Sequence, residues 1–143
     1  MCIRDRSFPL LNSNGGASGI TYTGSGFAAT QDHTASPLQL LKSYSYNETN
    51  PATITFSGLS TEKLYNIVLA ATGSNLDSTV SIPGYGSQTT ANADSGSSSF
   101  ILDGNYVEFL HVAPTSGSIT VNIAPGPSGN NYYACLLYTS RCV

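Results

Sequence analysis

Tryptophan is absent from this sequence, charge is scarce, and the three cysteines sit only near its ends. Charged residues fill 9% of the 143 positions, against about a quarter in ordinary soluble domains. Ser, Thr, Asn and Gly take the polar places instead, and such residues suit strand exteriors and turns better than long solvated helices. No apolar run approaches the roughly eighteen residues of a membrane helix, so membrane insertion is not expected. No secretory leader with a basic start and apolar centre is recognisable. The hydroxyl-rich composition still suits an extracellular or cell-surface protein, whose signal would then lie outside this stretch.

Catalytic patterns are missing too. There is no Gly-x-Ser-x-Gly nucleophile elbow, and Gly24-Ser25-Gly26 lacks the third glycine and following helix of a phosphate-cradling loop. His33 and His111 are the only histidines, with no His-x-His or His-x-x-x-His spacing for zinc. Asp32 and His33 are neighbours whose side chains leave an extended segment in opposite directions, which reads as a solvated loop pair. Glycoside cleavage needs two carboxyls roughly 5–10 Å apart across a cleft, and nothing in the spacing of Glu62, Asp94, Asp103 and Glu108 builds one. The expectation is that the chain is not an enzyme.

The two ends stand apart from the rest. Met1–Arg6 (MCIRDR) and Cys135–Val143 (CLLYTSRCV) resemble translated sequencing-adapter read-through of the kind found in metagenomic assemblies. On that reading 1–6 and 135–143 are artefact, and the remainder is a fragment cut short at its C-terminal strand. Residues 7–26 are an edge strand or a linker, and 27–134 form the domain. Between the ends no cysteine remains, so neither disulfide nor cysteine-zinc arithmetic applies. Lys42 and Lys63 are then the only basic residues against seven acids, which cannot neutralise a phosphate backbone and excludes nucleic acid as a partner.

What is present is extended-chain periodicity. Ile54 and Phe56 alternate with Thr53, Thr55 and Ser57, and Ile119, Val121 and Ile123 alternate with Thr120 and Asn122; both have the period of a strand with one buried face. Leu64–Ala71 reads as a more continuously apolar strand, with Leu59 tucked under the preceding bend. Leu38–Tyr46, which alternates in its second half, Ser78–Ile82, Ser87–Ala91, Asn105–Ala113 and Asn131–Ala134 are further candidates. Val107 and Phe109 are read as inward, and a short helix over Leu38–Lys42 as an option. Phe27–Pro37 reads as a loop, and Asn47–Pro51, Pro83-Gly84, Asp103-Gly104-Asn105 and Pro114–Gly117 read as turns. About eight short strands without a firm helix indicate an all-β, antiparallel β-sandwich or jelly roll.

Two ligand classes suit the residues available. Carbohydrate requires exposed flat rings beside hydrogen-bonding side chains, and the candidates are Tyr44, Tyr46, Tyr85, Tyr106 and Tyr132. Calcium takes oxygen ligands in flexible geometry, and the loop residues Asp77, Asp94, Asp103 and Asn105 are its candidates. No stretch has EF-hand spacing, and turn chemistry explains Asp103-Gly104-Asn105 without metal. No other cofactor is expected. Asn47-Glu48-Thr49 matches the N-glycosylation acceptor pattern.

The segments ITFSGLSTEKLYNIVLAATGS and YVEFLHVAPTSGSITVNIAPGPSGNNYYA resemble the galactose-binding-like jelly-roll and carbohydrate-binding modules of secreted bacterial proteins. The resemblance spans Leu38–Ala134. It implies a non-catalytic accessory module of a larger secreted or cell-surface protein, with a polysaccharide or glycan as ligand and neighbouring domains as partners. Gly58-Leu59 followed by Tyr65 is also similar to the tyrosine corner of fibronectin type III and immunoglobulin-like sandwiches, the alternative fold. The alternative functions are a spacer or adhesin-stalk domain without a ligand, and a piece of a secreted hydrolase whose catalytic part is missing.

Overall fold

Three aliphatic side chains spaced two apart, Ile119, Val121 and Ile123, are buried, while Thr120 and Asn122 between them are half-exposed. Their strand pairs antiparallel with Ala52–Ser57, setting Ile119 opposite Phe56, Val121 opposite Ile54 and Ile123 opposite Ala52. A pleated strand sends alternate side chains to one face, so this register joins two apolar stripes into one surface. Fully burying each Ile or Val is worth about 1.5–3 kcal/mol.

A computed structural model of the chain describes residues 7–11, 14–27, 29–32, 43–47, 51–71, 77–91, 99–127 and 132–137. Among these residues there is no helix, and eleven strands form: β1 (Ser7–Leu11), β2 (Ala17–Ser25), β3 (Ala29–Asp32), β4 (Ser43–Asn47), β5 (Ala52–Ser57), β6 (Tyr65–Ala70), β7 (Ser78–Ile82), β8 (Gly86–Thr89), β9 (Tyr106–Val112), β10 (Ser118–Pro125) and β11 (Tyr132–Leu137). One sheet has the order β1-β2-β5-β10-β7-β8 and the other β3-β4-β11-β6-β9. Every strand pair is antiparallel. Between the sheets lies one core, with Ile54, Phe56, Val80, Val121 and Ile123 from one layer and Tyr65, Ile67, Leu69, Val107 and Phe109 from the other. Tyr22 of β2 meets Phe56 edge-on at 5.9 Å.

From β4 to β7 the chain steps from one sheet to the other at every strand, and after the β7–β8 hairpin it does so again through β11. This is the connectivity of a jelly roll. Five strands follow Tyr65, more than the fibronectin-like order can hold, since there the tyrosine strand is next to last. The bond behind that alternative is nevertheless present: the Tyr65 hydroxyl accepts from the Ser60 N–H at 2.9 Å.

Three details depart from the periodicity. Ala29–Asp32, read as loop, is a strand because Ser43–Tyr46 offers it a complete antiparallel ladder, and pairing outweighs the weak preference of ATQD. β1 contains Pro9, which a strand tolerates at a sheet edge, and β1 is such an edge. On β9, strict alternation would group Val112 with Leu110 on the outer face. Instead Val107, Phe109 and Val112 are buried and Leu110 and His111 are exposed. Two steps on β6 (Tyr65 to Ile67) match three on β9 (Val112 to Phe109), and His111 has φ of 55°. One extra residue in the strand, a β-bulge, turns Val112 inward. The helix option over Leu38–Lys42 lies outside the described residues, and β11 runs through Cys135 to Leu137 opposite Val68–Ala70.

Candidate functional site

At one end of the sandwich the β7–β8 turn faces the connection from β9 to β10. Pro83 and Gly84 stop β7, and Gly84 and Gly86 take φ of 84° and 82°, which lets the chain reverse within a few residues. The reversal lifts Tyr85 out of both sheets, leaving it 41% exposed. Its hydroxyl reaches across and accepts the Ala113 N–H at 2.7 Å, just past the bulge where β9 has left its ladder.

Beside this ring is a depression of about 330 Å³ lined by Ile82, Pro83, Tyr85, Ala113, Thr115, Ser118, Ile119 and Thr120. Ile82 and Ile119 are core residues that form its apolar floor, and Thr115, Ser118 and Thr120 bring hydroxyls. The β9–β10 turn is held by reciprocal bonds between Thr115 and Ser118, at 2.8 and 3.0 Å. Gly117 at its tip has φ of 76° and accepts the Leu59 N–H at 3.0 Å, tying the turn to the loop after β5. The rim is therefore held by backbone bonds, the Ser118 hydroxyl also donating to the Ser57 hydroxyl at 3.5 Å, while the Tyr85 ring and Thr115 remain exposed.

Further along, opposite Val80, Gln88 on edge strand β8 stitches the two sheets together. Its amide nitrogen donates to the Glu108 carbonyl at 2.7 Å, and its amide oxygen accepts the Glu108 N–H at 3.1 Å. A side chain thus stands in for the strand that β9, itself an edge, lacks on that side.

The opposite end holds the calcium candidates. Asn105 is fully buried, with Oδ1 accepting the Ile101 N–H at 2.8 Å and Nδ2 donating to the Ser99 carbonyl at 2.9 Å. Both ends of its amide are engaged by main chain. Asp103 is exposed at φ of 56°, and its carbonyl accepts the Ala91 N–H. Asp77 is nearly buried, its carbonyl accepting the Gly126 N–H at 3.0 Å. Thr90, also fully buried, donates through its hydroxyl to the Ala71 carbonyl at 2.6 Å and accepts the Ser78 N–H at 3.0 Å. Asp94 lies outside the described residues. Among the described residues no group of three or more His, Cys, Asp or Glu side chains is placed to hold a metal.

Of the tyrosine candidates, Tyr85 borders the depression. Tyr106 is half-buried on β9 and meets Phe100 edge-on at 6.1 Å. Tyr44 and Tyr46 lie on β4 and Tyr132 on β11, where Tyr132 pairs with Asn47 and Tyr46 with Tyr133. These four are on strands of the five-stranded sheet. Thr115, Ser118, Thr120 and Gln88 carry no local pattern that marks them in the sequence. They matter because the jelly-roll crossings bring residues 82–85 against residues 113–120.

No helix of the described residues is long and apolar enough to cross a membrane. No protein-family model matches the chain, and no curated protein matches it in sequence. Among solved structures it is similar to TmCBM61 in complex with beta-1,4-galactotriose, at 12% identity and a TM-score of 0.43, over 87% of this chain and 90% of that one.

Proposed function

We propose that this chain is a non-catalytic binding module of a larger extracellular or cell-surface protein, taking a carbohydrate at the Tyr85 depression. One observation carries the reading: an exposed ring, pinned through its own hydroxyl to Ala113, borders a hollow lined by apolar Ile82 and Ile119 and by hydroxyl-bearing Thr115, Ser118 and Thr120. Sugars offer C–H faces that pack on aromatic rings and hydroxyls that bond sideways, and ligand sites combine apolar lining with a few convergent polar groups. A ring already held in place loses little rotamer freedom when a ligand arrives. The hollow is near the lower end of the roughly 300–1,000 Å³ range of small-molecule pockets, which suits a short piece of a glycan. Tyr106, with Tyr44, Tyr46 and Tyr132 on the same sheet, is the second place to look for a sugar contact.

The test is a glycan array followed by titration calorimetry with any sugar that scores. Binding that Tyr85→Ala abolishes supports the reading, and an array that stays blank removes it.

A second reading, a ligand-free spacer, is favoured by the outer face of the six-stranded sheet. Thr53, Thr55, Ser57, Thr79, Ser81 and Asn122, outside the Tyr85 depression, cover it with half-exposed short polar side chains and no aromatic among them. Under that reading no glycan binds and Tyr85 is replaceable.

A further inference from the structure

Two residue pairs in this chain share one latent reaction, and the fold treats them differently. Where Asn or Asp precedes glycine, the next backbone nitrogen can attack the side-chain carbonyl carbon, because glycine adds no Cβ and leaves the main chain free to rotate. Asp103-Gly104 opens the turn before β9, and Asn14-Gly15 lies in the connection between β1 and β2. At the first pair the nucleophile is occupied: the Gly104 N–H donates to the Ile101 carbonyl at 3.0 Å, and Gly104 is buried. Asp103 is held as well, its N–H on the Tyr106 carbonyl at 2.9 Å.

The second pair has none of these restraints. Asn14 and Gly15 are exposed, and the Gly15 N–H has no hydrogen bond among the described residues. Gly15 takes φ of 81°, and a Cβ built there meets nothing within 4 Å. The Asn14 Oδ1 accepts the Gly16 N–H at 3.0 Å, which draws electron density from the amide carbon and makes it a better electrophile. Asn66 and Asn122 contrast with it, since each is inside a strand and followed by a buried isoleucine.

We propose that Asn14 is a spontaneous deamidation site at the tip of the β1–β2 hairpin. The Gly15 nitrogen gives its proton to solvent and bonds to Asn14 Cγ, Nδ2 takes a proton from solvent as the Cγ–Nδ2 bond breaks, and ammonia leaves a cyclic succinimide. Water adds to either ring carbonyl, and opening yields aspartate or isoaspartate with no change of oxidation state. Either product adds a negative charge to the hairpin, and isoaspartate also inserts a carbon into its main chain. β1 pairs only with β2, so the change is confined to that edge and leaves the core intact.

Incubating the full chain in mildly alkaline buffer, with peptide mass spectrometry at intervals, reads the reaction. Asn14 converts to a mixture of both acids at least about tenfold faster than Asn66 or Asn122, a ratio equal to about 1.4 kcal/mol of barrier. Gly15→Ala slows it by about the same factor, Asn14→Gln abolishes it, and Asp103 isomerises faster in urea than in the folded chain. Conversion at Asn14 no faster than at Asn66, a Gly15→Ala rate equal to the parent's, or equal Asp103 rates in both states overturns the inference.

Discussion

The two ends of this sandwich solve the same problem in opposite ways. At the end built from Ala71, Ser78, Thr90 and Asn105, the buried side chains of Thr90 and Asn105 answer main-chain hydrogen-bonding groups, those of Ala71 and Ser78 buried and those of Ser99 and Ile101 nearer the surface. At the other end an aromatic ring is left at the surface beside a hollow lined in part by Thr115, Ser118 and Thr120. A buried polar group without a partner costs about 1–3 kcal/mol, so the first arrangement contributes to stability and offers little to a ligand. In the second, Tyr85 commits only its hydroxyl and keeps its ring available. Under the proposed carbohydrate reading, stability belongs to one end and recognition to the other, and substitutions at each end test that division.

The largest effect is expected at the closed end. Asn105→Ala leaves the Ile101 N–H and the Ser99 carbonyl without their partner and lowers stability by about 2–3 kcal/mol, read as a shift of the urea midpoint with unchanged slope. Thr90→Val keeps the volume but removes the hydroxyl between Ser78 and Ala71, costing about 1–2 kcal/mol. Gln88→Ala frees both main-chain groups of Glu108 and costs about 1 kcal/mol. It also opens the β9 edge to pairing, so light scattering registers self-association that the parent lacks. Smallest is Tyr85→Phe, which releases an exposed Ala113 N–H to water and changes stability by less than about 1 kcal/mol while keeping the ring for a sugar.

How much of this was legible in the sequence depends on how local each feature is. The alternation in β5 and β10 specified strands and inward faces without ambiguity, because a period of two has one consistent burial pattern. Tyr65 and Leu59 were legible for the same local reason. The inward turn of Val112 was not, since a bulge is visible only against the partner strand β6. Nor was β3, whose four residues become a strand through β4. Tyr85 was one of five tyrosine candidates with nothing local to set it apart, because its hollow combines two segments about thirty positions apart. Asn105 was read as a turn residue with a metal alternative, and its burial between Ser99 and Ile101 shows it serving the main chain.

The division between a holding end and a binding end is tested most directly by affinity electrophoresis. The parent chain and Tyr85→Ala are run through gels containing soluble polysaccharides, beside urea unfolding of both. The account predicts that at least one polysaccharide retards the parent and not the variant, while their stabilities agree to within about 1 kcal/mol. Equal retardation of both chains, or retardation of neither by any polysaccharide, contradicts it.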